Sequence, residues 1–211
     1  LSEYDIFSRS QHVYAPGTQR NAEDTAMTGK PEFVDVLVIG AGLAGIGSAC
    51  QFRRKMPQLK LAILEARQVN GGTWDLFRYP GIRSDSDMYT YSYGFKPWTA
   101  KSAIADGDTI LKYIRETAEE YGLNQQIRYN HKVVSAHWSS QDKLWTVTVA
   151  RSPSARADPE EQLTIQCRFI LSCTGYFDYE QGYTPEFAGI EKFQGEIVHP
   201  QFWPEQLEYT G

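Results

Sequence analysis

Long hydrophobic runs are lacking. The longest strongly apolar stretch, Val36–Gly47, covers about twelve residues and is rich in glycine, whereas a bilayer-crossing helix needs about 20. No transmembrane segment is therefore expected. Residues 1–30 are polar and hold no apolar core of the length a secretory signal needs. Positive charge is also scarce. Lys and Arg number 21 against 26 Asp and Glu, a net charge of −5, so no nucleic-acid partner is expected. The one dense basic run, Arg53-Arg54-Lys55, falls late in an expected helix, where cations suit the helix dipole. Cysteine is limited to Cys50, Cys167 and Cys173, without CxxC spacing. That excludes a disulfide framework and fits free buried thiols in the reducing cytoplasm. His131 and His137 have no partner at ligand spacing, so no metal is expected.

What is present is an ordinary globular composition. The 211 residues are 41% apolar and 22% charged, enough for one domain with its own core. Residues 1–31 read as a polar arm. From Phe33 the pattern sharpens. FVDVLVIG (33–40) is a near-continuous Val/Ile run, as in a strand buried on both faces of a parallel sheet. LAGIGSACQFRRKM (43–56) reads as a helix closed by Pro57, and LKLAILEA (59–66) as a second buried strand, together a βαβ unit. A loop over 67–107 is dense in Gly, Tyr, Trp and Asp, and loops of that length are usually functional. Residues 108–122 read as an amphipathic helix, with Ile110, Ile114 and Ala118 on one face and Gly122 as its stop. Residues 131–150 alternate as a hairpin turning at Ser-Ser-Gln-Asp, 151–162 read as a solvated loop, and 163–175 as a strand or two. Tyr89, Tyr91, Tyr93 and Phe95 alternate at period two, which predicts a half-buried strand rather than a substrate wall. The fold class is α/β: a three-layer, Rossmann-like domain on a parallel sheet with an inserted antiparallel hairpin or meander.

The first chemistry-bearing motif is Gly40-Ala41-Gly42-Leu43-Ala44-Gly45, a G-x-G-x-x-G between a strand and a helix. Gly40 suits the tight turn, Gly42 the approach of a pyrophosphate, and Gly45 close packing of helix on strand. The helix N–H groups then face phosphate. Glu65, twenty residues beyond Gly45, suits an adenosine ribose and disfavours a 2′-phosphate. Turn and packing glycines alone are the blander alternative. The motif does not separate NAD from FAD.

Later segments do, by resemblance. GGTWDLFRYPGIRSDSDMY (71–89) and CTGYFDY (173–179) are similar to flavin-contact segments of the flavin-dependent Baeyer–Villiger monooxygenases. The first is closest to their ethionamide-activating branch. Phe193-x-Gly195-xxx-His199-xxx-Trp203-Pro204 matches that family's fingerprint, whereas plain flavin-containing monooxygenases lack the Trp-Pro. The resemblance covers residues 33–211. It implies domains at 1–31 (arm), 32–192 (FAD-binding) and 193–211 (fingerprint linker). It implies FAD along Gly40, Gly42, Ala44, Gly45, Glu65, Gly72, Thr73, Trp74, Asp75 and Leu76, with Val133 at the adenine through its backbone. Asp85 would sit at the flavin's reactive edge as the catalytic residue. Arg83, Ser84 and Asp85 would approach NADPH. A helix cap is the alternative role for Asp85. His199 would be a linker group rather than a chemical base.

The family's chemistry is NADPH- and dioxygen-dependent oxidation of a ketone or a sulfur-containing small molecule through a C4a-peroxyflavin. In that family the fingerprint leads into a second, NADPH-binding Rossmann domain. These 211 residues hold one such glycine motif, so they are expected to be part of a longer monooxygenase or a split chain. Self-association through the surface facing the absent domain is then expected. The competing reading is a FAD-binding or degenerate module without turnover that needs a partner chain.

Overall fold

The computed structural model describes residues 31–152 and 161–209. The expected arm over 1–31 lies, but for Pro31, outside the described residues, as do 153–160 of the expected solvated loop.

The βαβ unit forms as the sequence predicts. Strand β1 (Glu32–Ile39) leads through the glycine turn into helix α1 (Leu43–Lys55) and strand β2 (Leu61–Leu64). One-turn helices α2 (Thr73–Leu76) and α3 (Met88–Tyr91) punctuate the following loop. Helix α4 (Gly107–Glu120) precedes strands β3 (Ile127–Arg128), β4 (His131–Ser139), β5 (Leu144–Arg151) and β6 (Glu161–Ser172). The strands form one six-stranded sheet in the order β3-β2-β1-β6-β5-β4. β1 runs parallel to β2 and β6, and β2 to β3, whereas β5 is antiparallel to both β6 and β4.

β6 belongs to two neighbourhoods. Its first half, Glu161–Cys167, pairs with β5, and Ile165–Ser172 pairs with β1. The meander therefore folds back over the parallel strands, giving three layers. On one face Ile46, Ala49 and Cys50 of α1 and Ile110, Ile114 and Ala118 of α4 pack on Val36, Val38 and Ile63. On the other, Val34, Leu37 and Leu64 meet Ala136, Val147 and Val149. Each fully buried Ile or Leu contributes about 1.5–3 kcal/mol by burial. α4 starts where Asp106 accepts the Thr109 N–H at 2.7 Å and ends at left-handed Gly122 (φ 64°). The Thr109 backbone bond holds the Asp106 carboxyl below its usual range.

Three expectations are corrected. Tyr89 to Phe95 is no strand. Asp87 caps α3 by accepting the Thr90 N–H at 2.9 Å, and a helical turn results. Tyr93 and Phe95 then stack on one side, 5.0 Å apart and nearly parallel. The cap is Asp87 and not Asp85. The hairpin also reaches further than its polar sequence suggests: Arg151 pairs with Glu161 across the strands that flank 153–160, so these two residues and Gln162 are sheet, and β6 is a single strand.

Cys50 and Cys167 are buried packing groups, whereas Cys173 is half-buried and lines a cleft. Burial pushes Cys50 up to about 12 and Cys167 to about 11, far from the thiolate range that reactivity needs. No helix among the described residues is long and apolar enough to cross a membrane.

Candidate functional site

A cleft of about 1150 Å³ opens at the C-terminal ends of β1, β2 and β6, the edge where open α/β sheets bind ligands. Its volume is at the upper end for small-molecule sites and suits an extended dinucleotide.

The floor is made of glycine. Gly42 caps α1 without any side-chain bond, and no acidic residue occupies the first turn, so helix N–H groups are left for an anion. Gly42 and Gly72 face each other: a Cβ on Gly72 (φ +57°) would lie 2.9 Å from the Gly42 Cα. The floor is therefore bare backbone here, and a side chain on Gly72 has no room. Gly45 packs closely on the turn, since a Cβ there would lie 1.9 Å from the Gly40 carbonyl oxygen. It does not line the cleft, whereas Gly40, Gly42, Ala44 and Gly72 do.

Glu65 follows β2 and is buried. Its Oε2 accepts the Ala41 N–H and its Oε1 the Arg67 N–H, each at 2.9 Å. Each oxygen keeps a second lone pair for a hydroxyl in the cleft. Val133 lines the same end, where β4 shifts register between Val133 and Ser135. His131 and Lys132 join it there, and the sequence had not singled them out as site residues. His131 Nδ1 is engaged by the Tyr129 carbonyl at 2.7 Å.

Thr73 and Trp74 line the middle of the cleft. Trp74 donates its indole N–H to the Tyr91 hydroxyl at 3.0 Å, and burial raises the Tyr91 phenol pKa. Asp75 and Leu76, expected beside them, do not line it. The turn of the helix carries Asp75 away from the cleft and towards Arg115 of α4. Asp75 is buried on the far side of α2. Arg67 and Arg115 each reach its carboxylate at 2.6 Å, and Arg78 stands at 3.7 Å. Arg115 also donates to the Asn70 carbonyl at 3.3 Å, so the hub ties loop 67–76 to α4.

Arg83, Ser84 and Asp85 reach the other end of the cleft. Ser84 is buried, and Arg83 and Asp85 are exposed. The stretch is zipped onto the start of α4: Ser84 N–H donates to the Ala105 carbonyl, and Gly107 N–H to that of Ile82.

The fingerprint residues form a strap beside the cleft. Only the neighbouring Pro200 lines it. His199 Nδ1 accepts the Gln201 N–H at 3.2 Å, and Nε2 faces the Tyr183 carbonyl at 3.0 Å. Both ring nitrogens are engaged by backbone, which leaves neither for general-base work. Gln201 donates to the Asp178 carbonyl at 2.7 Å. The Phe193 ring covers Gly195, and Trp203 meets Tyr209 edge-on.

The cleft, its glycine floor and the buried acid after β2 define a Rossmann-like dinucleotide-binding module. The family model of NAD(P)-binding Rossmann-like domains matches residues 38–102. Over 178 residues, 84% of the chain, it is 49% identical to the FAD-containing monooxygenase EthA of Mycobacterium tuberculosis. The EthA of Mycolicibacterium smegmatis is also 49% identical, over 85% of the chain. Both are matched over 35% of their own length, so the chain spans about a third of these curated relatives. Among solved structures, a steroid monooxygenase bound to NADP superposes with a TM-score of 0.64 at 32% identity, over 82% of this chain and 32% of that one. OTEMO in complex with FAD and NADP gives 0.62 at 34%, over 83% and 31%. The chain is a homologue of part of the FAD-containing monooxygenases.

Proposed function

We propose that this chain binds FAD in the cleft and is the FAD-binding part of an NADPH- and dioxygen-dependent monooxygenase of the Baeyer–Villiger kind. The observation that supports it best is the glycine floor beside a buried, cleft-facing Glu65. That pair suits a diphosphate next to a ribose diol. In this reading Gly42, Gly72 and the open N-terminus of α1 hold the diphosphate. Glu65 accepts from the ribose hydroxyls, and the Val133 backbone meets the adenine. Thr73 and Trp74 border the path towards the flavin ring. Asp85, with Arg83 and Ser84, stands at the reactive end, where its carboxylate orders charge near the oxidised centre. Gly45 and Asp75 hold this frame without touching the cofactor.

FAD, when bound, supplies hydride acceptance from NADPH and oxygen activation. The protein supplies placement, charge and exclusion of water. In the whole protein, a ketone would be converted to an ester or a sulfur centre to its oxide. NADPH binding is assigned to a second domain beyond these residues, reached through Phe193–Pro204.

The test is the visible spectrum of the purified chain with FAD, before and after NADPH. A flavin band that NADPH leaves unbleached supports a FAD module whose reductant site lies elsewhere. Folded protein that takes up no FAD refutes the reading.

A further inference from the structure

Tyr179 lies in the cleft wall and takes no part in the reading above. The residue is half-buried. Its hydroxyl stands 3.6 Å from the place a Cβ on Gly72 would occupy, so it overhangs the bare glycine floor. Thr73 stands with it in the cleft lining. The Arg67 guanidinium carbon lies over its ring at 5.7 Å from the centroid. Arg67 is itself fixed: it donates to Asp75 at 2.6 Å and to the Gly72 carbonyl at 3.4 Å. A chain of contacts thus runs from Asp75 through Arg67 to one phenol placed over the floor. Packing alone would need only the ring, and a phenylalanine would serve.

We infer that Tyr179 is a diphosphate-binding residue, its hydroxyl donating a hydrogen bond to the diphosphate of a dinucleotide seated on the Gly42–Gly72 floor. A phenol carries one O–H donor, and that proton serves the ligand. Burial first, and then the Glu65 carboxylate, push the Tyr179 pKa up, so the group stays a donor at neutral pH. Arg67 and Asp75 are positioning residues that hold the ring, and Arg67 adds positive potential behind the anion. The inference rests on the dinucleotide reading of the cleft and adds a residue to it.

The test is calorimetric titration of the wild-type chain and Tyr179→Phe with FAD, ADP and adenosine, with thermal melts to confirm folding. The variant is expected to bind ADP and FAD about tenfold or more weakly, the size for a hydrogen bond to a charged acceptor, and to leave adenosine unchanged. Equal ADP affinity in the two proteins overturns the inference and leaves the FAD reading standing. An equal loss for adenosine also overturns it, because the effect then lies in packing. A folded wild-type chain that binds neither ADP nor FAD removes the FAD reading and this inference together.

Discussion

Residues 32–151 together with β6 (Glu161–Ser172), on one side, and residues 173–209, on the other, are built on different principles. The first region holds nearly all the buried apolar side chains, in two clusters on the two faces of the sheet. The second has one buried residue, the polar Gln201, and its regular structure is two short 3-10 turns. Tyr176, Tyr183, Phe187, Phe193, Ile197 and Tyr209 are exposed along it. Beyond the Cys173 N–H bond to the Ile39 carbonyl at 2.8 Å, it rests on the first region through scattered side-chain contacts, among them Lys132 with Glu180 at 2.5 Å, Phe77 against Phe177 at 4.8 Å, and the stacked Arg67 and Tyr179. The first region carries its own stability, and the second is laid on it as an adjustable strap at the cleft mouth.

The sharpest way to break the contrast is at the centre of the first region. Gly45→Ala puts a methyl into the Gly40 carbonyl and is expected to cost about 3 kcal/mol, as overpacking without room to relax does. Denaturant unfolding measures it. Asp75→Ala comes next. It leaves Arg67 and Arg115 without their anion, and the cost is expected near 2 kcal/mol. This is below that for fully buried pairs, because the two arginine side chains are 24% and 43% exposed. FAD affinity should fall as well, since α2 loses its tie to α4.

A smaller effect separates acid from neutral pH. Arg128 grips Glu32 with two bonds, at 2.7 and 2.6 Å, and this hydrogen bonding lowers the Glu32 pKa from 4.5. A lowered carboxyl gives stability above its unfolded pKa that is lost as pH falls through the folded one. Melting temperature should therefore drop below about pH 4.5, and less steeply in Glu32→Gln. The side chains are partly exposed, so the difference is expected at about 1 kcal/mol or less. The smallest global effect belongs to the strap. Gln201→Ala removes the Asp178 contact and is expected to shift the melting temperature by only about 2 °C, while speeding tryptic cleavage after Lys192 several-fold. A large fall in stability would show that the strap is part of the core.

The first region was legible in the sequence because periodicity and punctuation agree there. Val/Ile runs, the glycine turn, Pro57 and Gly122 all point to the same elements. What stayed hidden depends on competition between local signals. The period-two aromatics at 89–95 obeyed the Asp87 cap, which no alternation reveals. Glu65 was readable from its distance to the glycines. That Asp75 lies off the cleft was hidden because motif position does not say which side of a one-turn helix a residue faces. His131, Lys132 and Arg67 had no local signal, since their place comes from strand order. Tyr179 stood within a segment already singled out, yet its ring was placed by Arg67, 112 residues earlier in the chain.

The central claim, that the glycine floor is a dinucleotide seat, is tested most directly by titrating FAD into the wild-type chain and Gly42→Ala. A Cβ on Gly42 would lie 3.4 Å from the Gly72 Cα, an ordinary contact, so the fold should survive while the floor is filled. The account predicts one FAD bound per wild-type chain and a loss of at least tenfold in the variant at an unchanged melting temperature. Equal affinity in both proteins would contradict it.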